Sequence, residues 1–306
     1  MSTSVLYDAP GPRARTRSRL ISIGGGLLIA ALLVWLVLAL GAPKVSANGA
    51  VQPGLWDPSR WDVFNDRQVW RTLIGGALAT LRMAAVAAVL ALALGVVFSF
   101  GRASEKNWIR IPTTIILEFV RGMPVLLMML FILLVFSTGS FWAGVAALSL
   151  YNGAIIGEAL RAGIKSLPRG QREAGLAIGL TPMATRFRIE FPQAFRQMLP
   201  IIIAQLVVLL KDTSLAFVVG YPELLRSGIN LTNFFGNRYA FSFFLVVLAI
   251  YLTMNLLLSW VARIISRRTA SRSGKLTPVD LAQPDASGFA GAGLGASASG
   301  DAGDGR

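Results

Sequence analysis

Long uncharged stretches alternate with short charged ones along this chain, and the alternation predicts helices that cross a bilayer. Residues 20 to 43 and 239 to 262 carry no charge, nor does the interval between Arg82 and Arg102. Residues 122 to 157 form an uncharged run of double length, interrupted at Ser137, Thr138, Gly139 and Ser140, which reads as a turn between two spans. A further apolar segment from about residue 194 holds Lys211 and Asp212 far along it. A hydrocarbon core about 30 Å thick needs around 20 apolar helical residues at about 1.5 Å each. The pattern predicts an all-α, polytopic membrane protein of about six transmembrane helices, at 21–41, 72–100, 112–136, 141–164, 194–219 and 240–262.

Composition agrees. The chain is 54% hydrophobic and 14% charged, against about 25% charged residues in a soluble domain. Arg13, Arg15, Arg17 and Arg19 precede the first apolar run, and "VSANG" follows it, as in a secretory signal with a small-residue cleavage site. The run is longer than the usual apolar region of about 7 to 15 residues, so it is read as an uncleaved anchor. Either reading leaves the later spans oriented alike.

Orientation follows from where Lys and Arg collect. One side gathers the four tail arginines, Arg102, Lys106 and Arg110, the cations between Lys165 and Arg188, and Arg263 to Lys275. That side is read as cytoplasmic, with both termini on it. The extracytoplasmic loop 42–71 holds four cations with three aspartates, and Trp56, Trp61 and Trp70 suited to the headgroup level. The formal charge of +14 is thereby a topology signal, and no nucleic-acid partner is expected. The basic tail 1–20 and the C-terminal tail 264–306 are both read as cytoplasmic; residues 276–306, rich in Gly, Ala, Ser and Asp, lack the bulk to order themselves.

The chemistry is bounded by absences. There is no His and no Cys, which removes thiol and imidazole catalysis and the usual transition-metal ligands. No GxxxxGK[ST] loop occurs. No catalytic residue, cofactor or metal is expected, and the chain is not expected to hydrolyse ATP by itself. Charges inside spans remain. Glu118 and Arg121, like Glu158 and Arg161, are three apart and share a helix face; snorkelling near helix ends and a place in a translocation pathway are both open. Lys211 lies about 25 Å into its span by helical rise, and Arg82 at a comparable depth. For Lys211, Asp212 and Arg82, pathway function competes with a structural role, in the first two as an ion pair.

One stretch stands apart, "REAGLAIGLTPMATRFRIEFPQA" at 172–194. Thr181 and Pro182 suit the start of a helix, and Phe191 before Pro192 predicts a second break. This gives two short helices with a turn near Gly179. Ala174, Ala177 and Ile178 fall on one face, with Arg172 and Glu173 toward another. By residues alone, such a hairpin could lie on the membrane surface or dock in a partner's groove.

Here a resemblance becomes specific. Glu173, Ala174, Gly179, Ile189 and Pro192 match the cytoplasmic EAA loop of ABC importer permeases, with Gly175 replacing the second alanine and Phe191 the leucine, both mild departures. "EFVRGMPVLL" (118–127), "ALSLYNGAIIGEALRAGIKSLPRGQREA" (147–174), "FPQAFRQMLP" (191–200) and "LLKDTSLAFVVG" (209–220) resemble the polar amino acid permeases of the histidine, glutamine and glutamate type, the glutamate-uptake type most of all. The resemblance covers roughly 70 to 263. It implies a five-helix type I ABC importer core at 72–263 in a bacterial plasma membrane; the additional span 21–41 and the long outer loop depart from that five-span core. It further implies that loop 165–192 rests on a cytoplasmic ABC ATPase dimer. A second permease chain, in a heterodimer rather than a homodimer, would complete the pore, and an extracytoplasmic solute-binding protein would deliver a polar amino acid. The rival class is an ion- or proton-coupled secondary transporter using Glu118 or Asp212 as a relay.

Overall fold

The computed structural model describes residues 12–45, 49 and 51–270. The predicted tail 276–306 and the first eleven residues lie outside the described residues. The helices in chain order are α1 (Pro12–Gly41), α2 (Arg67–Arg102), α3 (Asn107–Gly122), α4 (Val125–Phe136), α5 (Ser140–Lys165), α6 (Arg169–Ala177), α7 (Pro182–Thr185), α8 (Phe191–Asp212), α9 (Leu224–Phe235) and α10 (Ala240–Ala270). The fold is all-α apart from a two-residue antiparallel pair, Lys44–Val45 with Val51–Gln52.

Five helical stretches are long and apolar enough to cross a membrane: Thr16–Gly41, Arg67–Arg102, Ser140–Lys165, Pro182–Phe217 and Asn237–Ile264. The predicted span 112–136 is not one straight helix. α3 and α4 meet at a bend of 108°, and only as a pair do they make a sixth span. The cause is local: Pro124 excludes the helical conformation at the residue before it, and Met123 is extended at φ −90°, ψ 130°. A second expectation also fails. Phe191 and Pro192 do not break the chain; a single π turn, Arg186–Glu190, leads into α8 without interruption. In that wider turn the Phe191 N–H donates to the Arg186 carbonyl, which relieves the clash a proline ring makes with the carbonyl four residues back in an α-helix.

α2 and α5 form the centre. They run parallel, and small side chains at four-residue spacing let their backbones approach. A Cβ added to Gly157 would lie 3.0 Å from the Gly95 carbonyl oxygen, and one on Gly153 would lie 3.2 Å from that of Ala91. The Ser149 hydroxyl donates to the Val145 carbonyl at 2.6 Å. α8 packs on α5 through Gly163 against Ala194 and Met198, and Gln205 donates to the Asn152 side-chain oxygen at 2.8 Å. At the end opposite α6, the Glu223 carboxylate caps α9 through the Leu225 and Arg226 N–H groups and accepts the Tyr251 hydroxyl at 2.6 Å. α1 is exposed along its apolar length and meets the rest at its C-terminal end, where Trp56 Nε1 donates to the Val37 carbonyl and the Leu55 N–H to that of Leu40.

Candidate functional site

The segment 165–192 folds as the predicted helical hairpin. α6 ends in a Schellman cap: the Leu180 N–H donates to the Gly175 carbonyl at 3.1 Å and the Gly179 N–H to that of Leu176 at 3.0 Å. This closure needs a left-handed residue, and Gly179 has φ +83°. A Cβ there would meet nothing within 4 Å. Gly179 is thus required by backbone conformation alone, not by a close approach within the chain. The Thr181 hydroxyl then caps α7, accepting the Ala184 N–H at 3.2 Å.

The packing glycine is Gly175, whose place in the motif read as a mild departure. Along α6 it alone among the described residues is buried; Glu173, Ala174, Ala177 and Ile178 are exposed. A Cβ at Gly175 would lie 2.5 Å from Thr185 Cγ2 and 3.0 Å from Ile189 Cδ1. Thr185 is fully buried and β-branched, so it has little freedom to yield. Gly175→Ala, which restores the family's alanine, is therefore expected to loosen the hairpin by about 1–3 kcal/mol. Faster limited proteolysis between residues 175 and 185 would register it; unchanged cleavage would refute the contact.

The hairpin is tied to the corner between α2 and α3. Arg186 Nη1 donates to the Ala103 carbonyl at 2.7 Å, and its Nε lies 3.8 Å from Glu190. Arg172 reaches Glu105 at 3.3 Å. Phe191 packs against Phe100 and Phe195 with ring centroids 5.2 and 5.9 Å away, while Phe187 lies stacked beside it at 6.3 Å. The leucine-to-phenylalanine departure thus builds an aromatic ladder from α2 to α8.

Beside it lies a chain of charges. Arg102 at the end of α2 donates to Glu118 on α3 at 2.8 Å and to Glu158 on α5 at 2.9 Å. Arg121 lies 3.9 Å from Glu118, and Arg161 Nε donates to Glu158 at 3.0 Å. Both predicted i,i+3 pairs exist, but Arg102 joins them and was not singled out from the sequence, because its partners are 16 and 56 residues away. The candidate pathway residues fall into two groups. Glu118, Arg121 and Glu158 share this network. Arg82 is about 30 Å up α2 from Arg102 by helical rise, its guanidinium carbon 5.1 Å from the Phe141 ring centroid. Lys211 ends the exposed stripe Ile201, Ala204, Val208 on α8. The Lys211–Asp212 ion pair, one of the two readings of these residues, is not among those formed by the described residues. Adjacent positions on a helix point about 100° apart and do not face each other.

With this geometry in hand, comparison places the chain. The family described as binding-protein-dependent transport system inner membrane component matches residues 91–271, from within α2 to the end of α10. A glutamate transport system permease protein of Corynebacterium glutamicum is 38% identical over 233 residues, covering 73% of this chain and 83% of the relative. A glutamine transport system permease protein of Escherichia coli strain K12 is 33% identical over 204 residues, covering 64% and 92%. A crystal structure of an amino acid ABC transporter with histidines has a TM-score of 0.60 at 27% identity, covering 66% of this chain and 95% of that one. An inward-facing methionine ABC transporter has a TM-score of 0.56 at 18% identity, covering 67% and 99%, and speaks to the fold alone. These matches and the apolar helices make this an integral membrane protein with the ABC importer permease fold, and the chain belongs to the family of inner membrane components of binding-protein-dependent transport systems.

Proposed function

We propose that this chain is the pore-forming permease of an ATP-driven importer of polar amino acids, glutamate or a related acidic amino acid foremost, driven through the hairpin α6–α7. The observation that carries the coupling role is the exposure of α6: it packs inward through Gly175 and offers Glu173, Ala174, Ala177 and Ile178 outward. A short helix with one buried glycine and an apolar tip suits the groove of a partner. The partners on this reading are a cytoplasmic ATPase dimer, a second permease chain in a heterodimer, and an extracytoplasmic solute-binding protein. Residues 165–192 and both termini face the cytoplasm of a bacterial cell.

Coupling then runs through contacts already described. Movement of α6 pulls on the α2–α3 corner through Arg186 and Arg172, and Arg102 carries it to α3 and α5. The 38% identity to a glutamate permease supports an acidic substrate, and the exposed Lys211 supplies a cation for its carboxylates. A lysine at that depth is costly against lipid, which favours a pore or partner facing it. Uptake of labelled glutamate by cells carrying the full system should survive an ionophore at constant ATP; collapse would identify a secondary transporter. Lys211→Met should lower uptake about 10-fold or more, the loss of one charge-assisted contact, while the complex still co-purifies. Wild-type uptake in that variant would remove Lys211 from the pathway.

A further inference from the structure

We infer that the cleft between α3 and the base of the hairpin is a headgroup site for an anionic phospholipid of the adjacent leaflet. The cleft has a volume of about 1080 Å³ and carries seven cationic side chains against three carboxylates. Four of the cations are ion-paired: Arg102, Arg161, Arg172 and Arg186. Arg110, Lys165 and Arg169 have no carboxylate partner among the described residues, and Arg110 is held toward Asn107 at 2.6 Å. One lining carboxylate, Glu173, is likewise outside these pairs, so the unpaired groups around this concavity carry an excess of two positive charges, which favours an anion.

A second observation makes that anion a lipid. α3 is two-faced. Asn107, Arg110, Thr114, Glu118 and Arg121 form a polar stripe, whereas Trp108, Ile111, Ile115 and Phe119 form an apolar one that the chain itself leaves exposed. α3 meets α4 at 108°, so α3 does not continue the axis of α4, and its polar stripe turns to the charged end of α2, where Glu118 meets Arg102. Ile111 and Ile115 line the cleft beside Arg110. A phosphate diester held by the three cations would thus have its acyl chains against those isoleucines, a pairing that a soluble phosphate does not use. Basic pockets between membrane helices favour such headgroups.

This inference rests on the membrane-permease reading, and its test does not involve transport. The full-length chain, purified with its pore partner and ATPase, would be titrated with phosphatidylglycerol, with phosphatidylcholine of the same acyl chains, and with inorganic phosphate. Retained lipid would be counted by native mass spectrometry. Phosphatidylglycerol should be held in preference to phosphatidylcholine, and inorganic phosphate should not displace it. The combined variant Arg110→Gln, Lys165→Gln, Arg169→Gln should weaken its retention about 100-fold, the loss expected for three cations at an anionic surface. It leaves the Arg102 network in place, and Arg67→Gln with Arg71→Gln, at the other end of α2, should change nothing. Wild-type retention in the triple variant, equal retention of phosphatidylcholine, or release of the lipid by inorganic phosphate would each overturn the site. A failed lipid site leaves the transport reading standing, and failed transport leaves the lipid count standing.

Discussion

Gly179→Val should yield a normally inserted permease that no longer holds its ATPase, with amino acid uptake below about a tenth of wild type. The Schellman closure demands φ +83° at this position, where a β-branched residue costs about 2 kcal/mol or more. The hairpin would relieve that strain by opening at Leu180, turning α6 away from its docking orientation. The membrane helices make no contact that depends on residue 179, so insertion should survive. Gly179→Asn separates two causes. Asparagine tolerates the left-handed region, and an added Cβ meets nothing within the chain. Near-normal coupling in the Asn variant would assign the Val defect to the turn. A defect as deep as that of Val would mean that the ATPase itself approaches Gly179. Co-purification of the ATPase, read together with uptake, decides between them; full activity of Gly179→Val would remove the turn from coupling.

The second large effect is expected at Arg102. Its guanidinium holds α2 to α3 and to α5 at once. The Glu118 link is half exposed and contributes less than about 1 kcal/mol. The Glu158 link is more buried, at 19% and 26% side-chain exposure, yet Glu158 keeps Arg161, so Arg102→Met does not orphan its charge. A net cost of about 2 kcal/mol, or some 4–8 °C in melting temperature, is expected. The functional effect should be larger than the stability effect: ATP hydrolysis continues while transport falls about 10-fold or more, because the corner gripped by Arg186 no longer moves α3 and α5 with it. Arg102→Lys, able to reach one carboxylate but not to fork between two, should fall between. Wild-type melting and transport in Arg102→Met would reduce the network to ornament.

What the sequence made legible was what local rules encode. Apolar runs of about 20 residues need no tertiary knowledge to be read as spans, and the glycine followed by Thr181 and Pro182 announced the hairpin turn. The misses lie where distant residues meet or where two local rules compete. Pro124 sat inside an uninterrupted apolar run, so the run outweighed the proline and the 108° bend went unseen. At Pro192 the proline was given weight, and a π turn absorbed it. Gly175 resembled a neutral swap until Thr185 and Ile189 were folded onto it. Arg102 read as one more cation on the basic side; only the packing of α3 and α5 around α2 discloses its two carboxylates.

The central claim, that α6 is the contact through which an ATPase drives this permease, is tested most directly by a crosslink. The chain has no cysteine, so Ile178→Cys, at a side chain 75% exposed on the tip of α6, places a single thiol at the proposed interface. In membranes carrying the complete system, a short reagent with one thiol-reactive and one photoactivated end should join residue 178 to the ATPase, with a yield that changes when ATP is added. The same thiol in intact cells should stay unlabelled by a membrane-impermeant reagent. Labelling of position 178 from outside, or an assembled complex in which it reacts freely without joining the ATPase, would contradict the account.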